Sequence, residues 1–131
     1  MTIDYATAGR LLEAYGQAWT DFDGDAWVAL FTEDVEYHED PFEAPLVGHN
    51  ALRRYLLDAA EDQEQVEFTV EQHWAEDATV LGAWHASFIR RSTRARVRLA
   101  GFMTLDIAAD GRVSRFREWR HRRETPAAGQ A

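Results

Sequence analysis

Three side chains in this sequence have the type and setting for proton transfer: Asp40, Tyr15 and Glu118. Asp40 lies in the run from Asp34 to Asn50, which opens as a short strand, turns through two prolines and ends as a helix start. Pro41 biases the residue before it toward extended geometry, so Asp40 sits at a strand end with little freedom. Beside Tyr37 and Phe42 its carboxyl would be desolvated, which raises a pKa and suits a general base. The same residues also fit a solvated acidic turn. Tyr15 and Trp19 are four apart, on one face of a helix. An inward phenol there is either plain core or a hydrogen-bond donor, and in both cases it needs a polar partner. Glu118 falls on the apolar face of a strand, where a carboxyl must be paired with an arginine, protonated or turned toward a cavity.

These residues need elements to hold them. Ala8, Leu11, Leu12, Tyr15 and Trp19 recur at helical spacing, with Thr2 or Asp4 as cap. Asp23 caps a short second helix that buries Trp27, Leu30 and Phe31. A third helix starts at Gly48, His49 or Asn50, with Leu52, Tyr55, Leu56 and Ala59 inward, and ends in an acidic loop, residues 61–64. From Val66 the period becomes two, and strands are expected at 66–75, 79–91, 94–108 and 112–122. Helices followed by a meander imply an α+β fold, with the helices on one face of the sheet. The domain covers residues 1–124, and residues 125–131 read as a flexible tail.

The turns fix the strand registers. A two-residue turn at Asp110-Gly111 pairs Ala109 with Arg112, Leu105 with Phe116, Met103 with Glu118 and Phe102 with Trp119. A two-residue turn at Ser92-Thr93 pairs Trp84 with Gly101 and Phe88 with Val97. A three-residue turn over residues 76–78 pairs Val70 with Trp84 and Trp74 with Val80. The inner face then presents Trp74, Trp84, Phe88, Met103 and Phe116, with Gln72 and Glu118 as its polar members. The helix bearing Tyr15 and Trp19 covers it, and Tyr37, Asp40 and Phe42 form the rim. This describes an aromatic small-molecule pocket.

Composition narrows the classes. The chain has 131 residues and no Cys, so thiol and disulfide chemistry are excluded. Its five His are scattered and form no His-x-x-x-His pair, so a metal site is not expected. Without a signal pattern or a membrane-length apolar run, the expected setting is cytoplasmic, with no membrane partner. Net charge is −9, which argues against a nucleic-acid partner. The charge is uneven: residues 1–80 hold 19 Asp/Glu and 3 Arg, and residues 81–131 hold 4 and 11. Charge matching within the chain or between subunits accounts for that division.

The sequence resembles the nuclear-transport-factor-2-like superfamily, in particular the SnoaL-like proteins related to polyketide cyclases and ketosteroid isomerases. The resemblance runs over about residues 5–123. It rests on Tyr15-Gly16-Gln17-Ala18-Trp19, Asp23-Gly24-Asp25, Ala29-Leu30-Phe31, the Asp34–Pro41 run, Gly48 before a helix, and Asp110-Gly111-Arg112-Val113. It implies a cone-shaped, curved mixed β-sheet wrapped around three N-terminal helices, a deep apolar pocket and a dimer through the sheet. Within that likeness Tyr15 matches the oxyanion-hole tyrosine and Asp40 the base, with one extra residue to be absorbed by a bulge near His38-Glu39. The second oxyanion acid would fall near Met103 or Gly101, neither of which donates from its side chain, and this departure argues against steroid isomerisation.

The expected function is cofactor-free acid–base chemistry on an apolar, oxygenated small molecule: isomerisation, cyclisation, dehydration or hydration. Asp40 would be the base, Tyr15 the donor and Glu118 a second acid or base. The alternatives are a non-catalytic binding protein or a structural dimerisation domain of the same fold. A homodimer is expected through the outer sheet face, where Phe102 and Trp119 sit among arginines.

Overall fold

The structure, a computed structural model, describes residues 1–129. In chain order it has α1 (Tyr5–Thr20), α2 (Gly24–Val28), β1 (Phe31–His38), β2 (Leu46–Val47), α3 (Gly48–Asp62), β3 (Gln63–Glu76), β4 (Thr79–Arg90), β5 (Arg96–Ile107) and β6 (Val113–Thr125). The strands form one curved sheet in the order β2-β1-β6-β5-β4-β3. β1 runs parallel to β6, and the other pairs are antiparallel. The fold is an α+β cone with the three helices against the concave face.

Local chemistry starts the helices where the sequence places them. The Asp4 carboxylate accepts from the Thr7 amide at 2.7 Å, and Asp23 accepts from the Ala26 amide at 3.1 Å. α3 has no side-chain cap; it begins at Gly48, whose φ of +86° suits a residue without Cβ. The His49 ring donates to the Phe31 carbonyl at 2.9 Å and ties the start of α3 to β1.

Most registers agree with the alternation. Trp84 faces Gly101, Phe88 faces Val97, Leu105 faces Phe116, Met103 faces Glu118 and Phe102 faces Trp119. The turns differ. The β4–β5 connection is a longer loop closed by the Arg90 amide on the Ala95 carbonyl. At the last hairpin Ala108 donates to Arg112, and a shift after Asp106 removes the Ala109–Arg112 pair. The acidic loop expected over residues 61–64 does not form, because α3 runs to Asp62 and β3 starts at Gln63. β6 continues to Thr125, and of the expected tail Gln130 and Ala131 lie outside the described residues.

The largest correction is in β3. Val70 pairs with Trp84 as expected, but Gln72 pairs with Ala83 and Trp74 with Leu81, around a bulge at Glu71. The turn to β4 is one residue shorter than expected, since Glu76 pairs with Thr79. A one-residue slip turns side chains to the other face. Gln72 and Trp74 therefore leave the inner face, and Trp74 packs on the outside against Phe102 at 6.0 Å.

Two glycines let large rings approach the backbone. A Cβ at Gly16 would lie 2.3 Å from Phe68 of β3, and one at Gly101 would lie 2.7 Å from the Trp84 indole and 2.9 Å from the Trp119 carbonyl. Gly16→Ala and Gly101→Ala should each cost about 1–3 kcal/mol by overpacking. Gly24→Ala, where the added Cβ meets only the end of Arg53 at 3.6 Å, should be near neutral. Thermal unfolding by circular dichroism checks the contrast. Equal midpoints for all three variants would refute the close packing.

Candidate active site

A cavity of about 430 Å³ lies between the helices and the concave face of the sheet. Its walls are aromatic: Trp19 from α1, Trp27 from α2, Tyr55 from α3, and Trp84 and Phe88 from β4. Trp19 is held by its indole N–H, which donates to Gln63 Oε1 at 2.9 Å.

Phe116 sets the position of two phenols. Tyr37 and Phe116 are partners in the parallel β1–β6 register, and their rings stack at 4.2 Å, 4° from coplanar. Tyr15 stacks on Phe116 from α1 at 5.5 Å. The Tyr15 and Tyr37 hydroxyls then meet at 2.9 Å, both buried. Burial, with the Glu118 charge nearby, holds the Tyr15 phenol well above its ordinary pKa. Burial and the neighbouring Tyr15 do the same for Tyr37. Both stay protonated, so one hydroxyl hydrogen serves the pair and the other is free to donate.

Beside the phenols lie two carboxyls and an arginine. Glu118 and Arg120 are two apart on β6 and so share the inner face. Arg120 donates through Nη1 to Glu118 and through Nη2 to Glu39 at 2.6 Å. Glu118 is only 4% exposed, whereas the Glu39 side chain is 35% exposed. Burial pushes the Glu118 carboxyl up to about 7, partly opposed by Arg120 and reinforced by Glu39. Burial alone would lower the Arg120 pKa, but Glu118 and Glu39 outweigh it and keep the guanidinium charged. Arg120 thus bridges two carboxyls, one buried and one wetter, on the lining of the cavity.

The residues named from the sequence divide into groups. Tyr15, Trp19, Tyr37, Trp84, Phe88 and Glu118 line the cavity. Met103 and Phe116 are fully buried behind its wall rather than on it. Gln72 and Trp74 are on the other face of the sheet. Asp40 is exposed, and its carboxylate accepts from the Phe42 amide at 2.8 Å, closing a local turn. It does not line this cavity. Phe42 is 93% exposed and does not line it either. The β1–β6 register shifts between Phe31 and Glu36, and the pairing is regular from Glu36 to His38, so the bulge expected near His38-Glu39 is not part of that pairing. Glu39, Arg120 and Tyr55 went unassigned as site residues. Two of them carry a visible signal: Glu39 alternates with Tyr37, and Arg120 with Glu118, at the period of a strand.

The pattern of the SnoaL-like domain matches residues 12–116. The chain belongs to the SnoaL-like domain family. Among curated proteins no sequence matches it. Solved structures share the SnoaL-like fold at low identity. An LEH-like epoxide hydrolase of M. tuberculosis is 22% identical, with 88% of this chain and 84% of that chain covered and a TM-score of 0.74. SalBIII, an epoxide hydrolase/cyclase-like enzyme with a role in pyran ring formation in the polyether salinomycin, is 19% identical over 90% and 93%, TM-score 0.79. The Delta 5-3-ketosteroid isomerase of Mycobacterium sp. is 13% identical over 91% and 98%, TM-score 0.77. Among the described residues of this SnoaL-like chain no helix is long and apolar enough to cross a membrane, and no group of His, Cys, Asp or Glu is arranged to hold a metal.

Glu118 links the site to stability. Between pH 4.5, its ordinary value, and about 7, the folded protein keeps a proton that the unfolded chain has released. Its contribution is fully present below about pH 4.5 and is lost as pH rises through about 7, by at most about 3 kcal/mol. Asp4, Asp62, Asp110 and Glu124, whose values are lowered, act in the opposite sense at lower pH but are shared with a Glu118→Gln variant. Urea unfolding of both proteins across pH 4.5–8 should show the wild type losing stability relative to Glu118→Gln. A pH-independent difference would rule out the raised value.

Proposed function

We propose that this protein is a cofactor-free acid–base enzyme that opens an epoxide or comparable strained ether on an apolar, oxygenated small molecule. The observation that carries the reading is Arg120 joining Glu118 to Glu39 at the edge of an aromatic cavity. Ring opening by water needs a donor and an acceptor together. Glu39, the wetter carboxylate, takes a proton from water as its oxygen bonds to one ring carbon. The carbon–oxygen bond of the ring breaks, and protonated Glu118 gives its proton to the departing oxygen. The product is a diol, and the enzyme regains its starting state when a proton passes from Glu39 back to Glu118. With a substrate hydroxyl in place of water the same transfer closes a ring. The free phenol hydrogen of the Tyr15–Tyr37 pair stabilises developing negative charge on oxygen. The likeness to the LEH-like epoxide hydrolase of M. tuberculosis and to SalBIII supports this choice among acid–base reactions.

The test is turnover of cyclohexene oxide in ¹⁸O-water, followed by mass spectrometry of the diol. Glu39→Gln and Glu118→Gln should each lower kcat/KM by about 10²–10⁴-fold, and the rate should fall as Glu118 deprotonates near pH 7. Asp40→Asn should change nothing. Binding of the epoxide without diol formation would favour a non-catalytic binding protein.

The outer sheet face supports a homodimer. Trp74 and Trp119 are 41% and 43% exposed around Phe102, and the Arg117 guanidinium lies 5.7 Å from the Trp119 ring centre. Exposed aromatics with an arginine beside them have the composition of an interface centre. Sedimentation should give twice the chain mass, and Trp119→Glu should yield monomer.

A further inference from the structure

A second concavity, about 650 Å³, lies on the outer face of the sheet, across from the cavity of the proposed reaction, with Leu99 and Arg122 lining both. Its shape follows from the registers. Ala100 is flanked by His85 on β4 and His121 on β6. One row along, Arg98 is flanked by Ser87 and Arg123. The alanine leaves a hollow, and longer polar side chains surround it. Arg96 stands one further outward position along β5.

The charges here are unusual for a sheet. Arg98 and Arg123 are direct cross-strand partners, and like charges in that relation are destabilising. Six of the fourteen arginines, Arg53, Arg90, Arg91, Arg94, Arg112 and Arg120, have a carboxylate within ion-pair distance. Arg96, Arg98 and Arg123 have none among the described residues. Glu67, opposite Ser87, is the acid on the hollow's lining, and His85 faces Glu71 at 3.5 Å just beyond it.

We infer that this hollow binds the phosphate or diphosphate group of a small molecule, held by Arg98 and Arg123 with Arg96, Ser87 and His121 around it. Guanidinium forks match phosphate oxygens two at a time, and an anion between Arg98 and Arg123 turns their repulsion into two attractions. The net charge of −9 disfavours a long polyanion, but one phosphate group responds to charges within about a Debye length. The aromatic centre proposed for the dimer is four residues along each strand from Arg98 and Arg123, roughly 13 Å away.

Isothermal titration with inorganic pyrophosphate at low salt tests the site. Arg98→Thr and Arg123→Thr should each weaken binding about tenfold or more. Glu67→Gln should strengthen it. Both threonine variants should melt at a higher temperature than wild type in the absence of the anion, because the unpaired like-charge contact is gone. Epoxide turnover should be unchanged, so loss of pyrophosphate binding is separable from failure of the cavity reading. No binding by the wild type, or binding unaltered in both variants, overturns the inference. So does a change in sedimentation of the threonine variants, which would make the hollow part of the contact with a second copy.

Discussion

A carboxyl buried as deeply as Glu118 is the constraint on which the rest of the site depends. Left alone, an ionised group there would cost several kcal/mol. Arg120 offsets part of that cost, because it is two residues further along the same strand, on the same face, and also reaches Glu39, but burial still holds the carboxyl up at about 7. Glu39 is within reach because β1 pairs in parallel with β6, which brings the end of β1 beside Glu118 and Arg120. The parallel pairing also stacks Tyr37 on Phe116, and Phe116 in turn supports Tyr15. One strand pairing thus fixes both the carboxyls and the phenols.

How much of this could be read in advance depended on the length of the signal. The β4–β5 and β5–β6 registers were legible because bulk alternates with small residues over many positions, as Trp84 opposite Gly101 shows. The fate of Trp74 and Gln72 was not, because the bulge at Glu71 is a single extra residue with no effect on composition. In the site, Glu118 stood out as an acid among apolar neighbours, and all three of the ways it could be accommodated apply: it is paired, raised in pKa and beside a cavity. Asp40 misled for a physical reason. The proline that restricts it also favours a turn, and its carboxylate is spent on the Phe42 amide. The alternation that carries Tyr37 inward carries Glu39 inward as well.

The division of charge along the sequence is partly resolved inside the monomer. Arg90 joins Asp62 to Glu124, Arg91 and Arg94 meet Glu64, and Arg120 meets Glu39. These pairs bring the basic second half onto the acidic first half and fix the β4–β5 loop against the end of α3. They are mostly half-exposed, so their worth is modest and lies more in placing the loop than in stability. Arg96, Arg98, Arg115, Arg117 and Arg123 lie on the outer face of β5 and β6, which is why that face differs so sharply from the inner one.

The cavity walls show the same preference for placement over stability. The indole N–H groups of Trp27 and Trp84 are buried without a hydrogen-bond partner. Each such group costs about 1–3 kcal/mol. A phenylalanine would avoid that cost but would be narrower. Trp27 meets Phe31 at 5.3 Å, Tyr37 at 5.6 Å and Tyr55 at 6.2 Å, so one ring contacts β1 twice and α3 once. Trp84 spans from Phe68 at 5.6 Å to Trp19 at 6.4 Å and lies over Gly101. Wide, rigid plates keep the wall from collapsing into the cavity. Proteins that depart from local stability rules do so at functional sites, and here the buried acid and the two unbonded indoles surround one cavity.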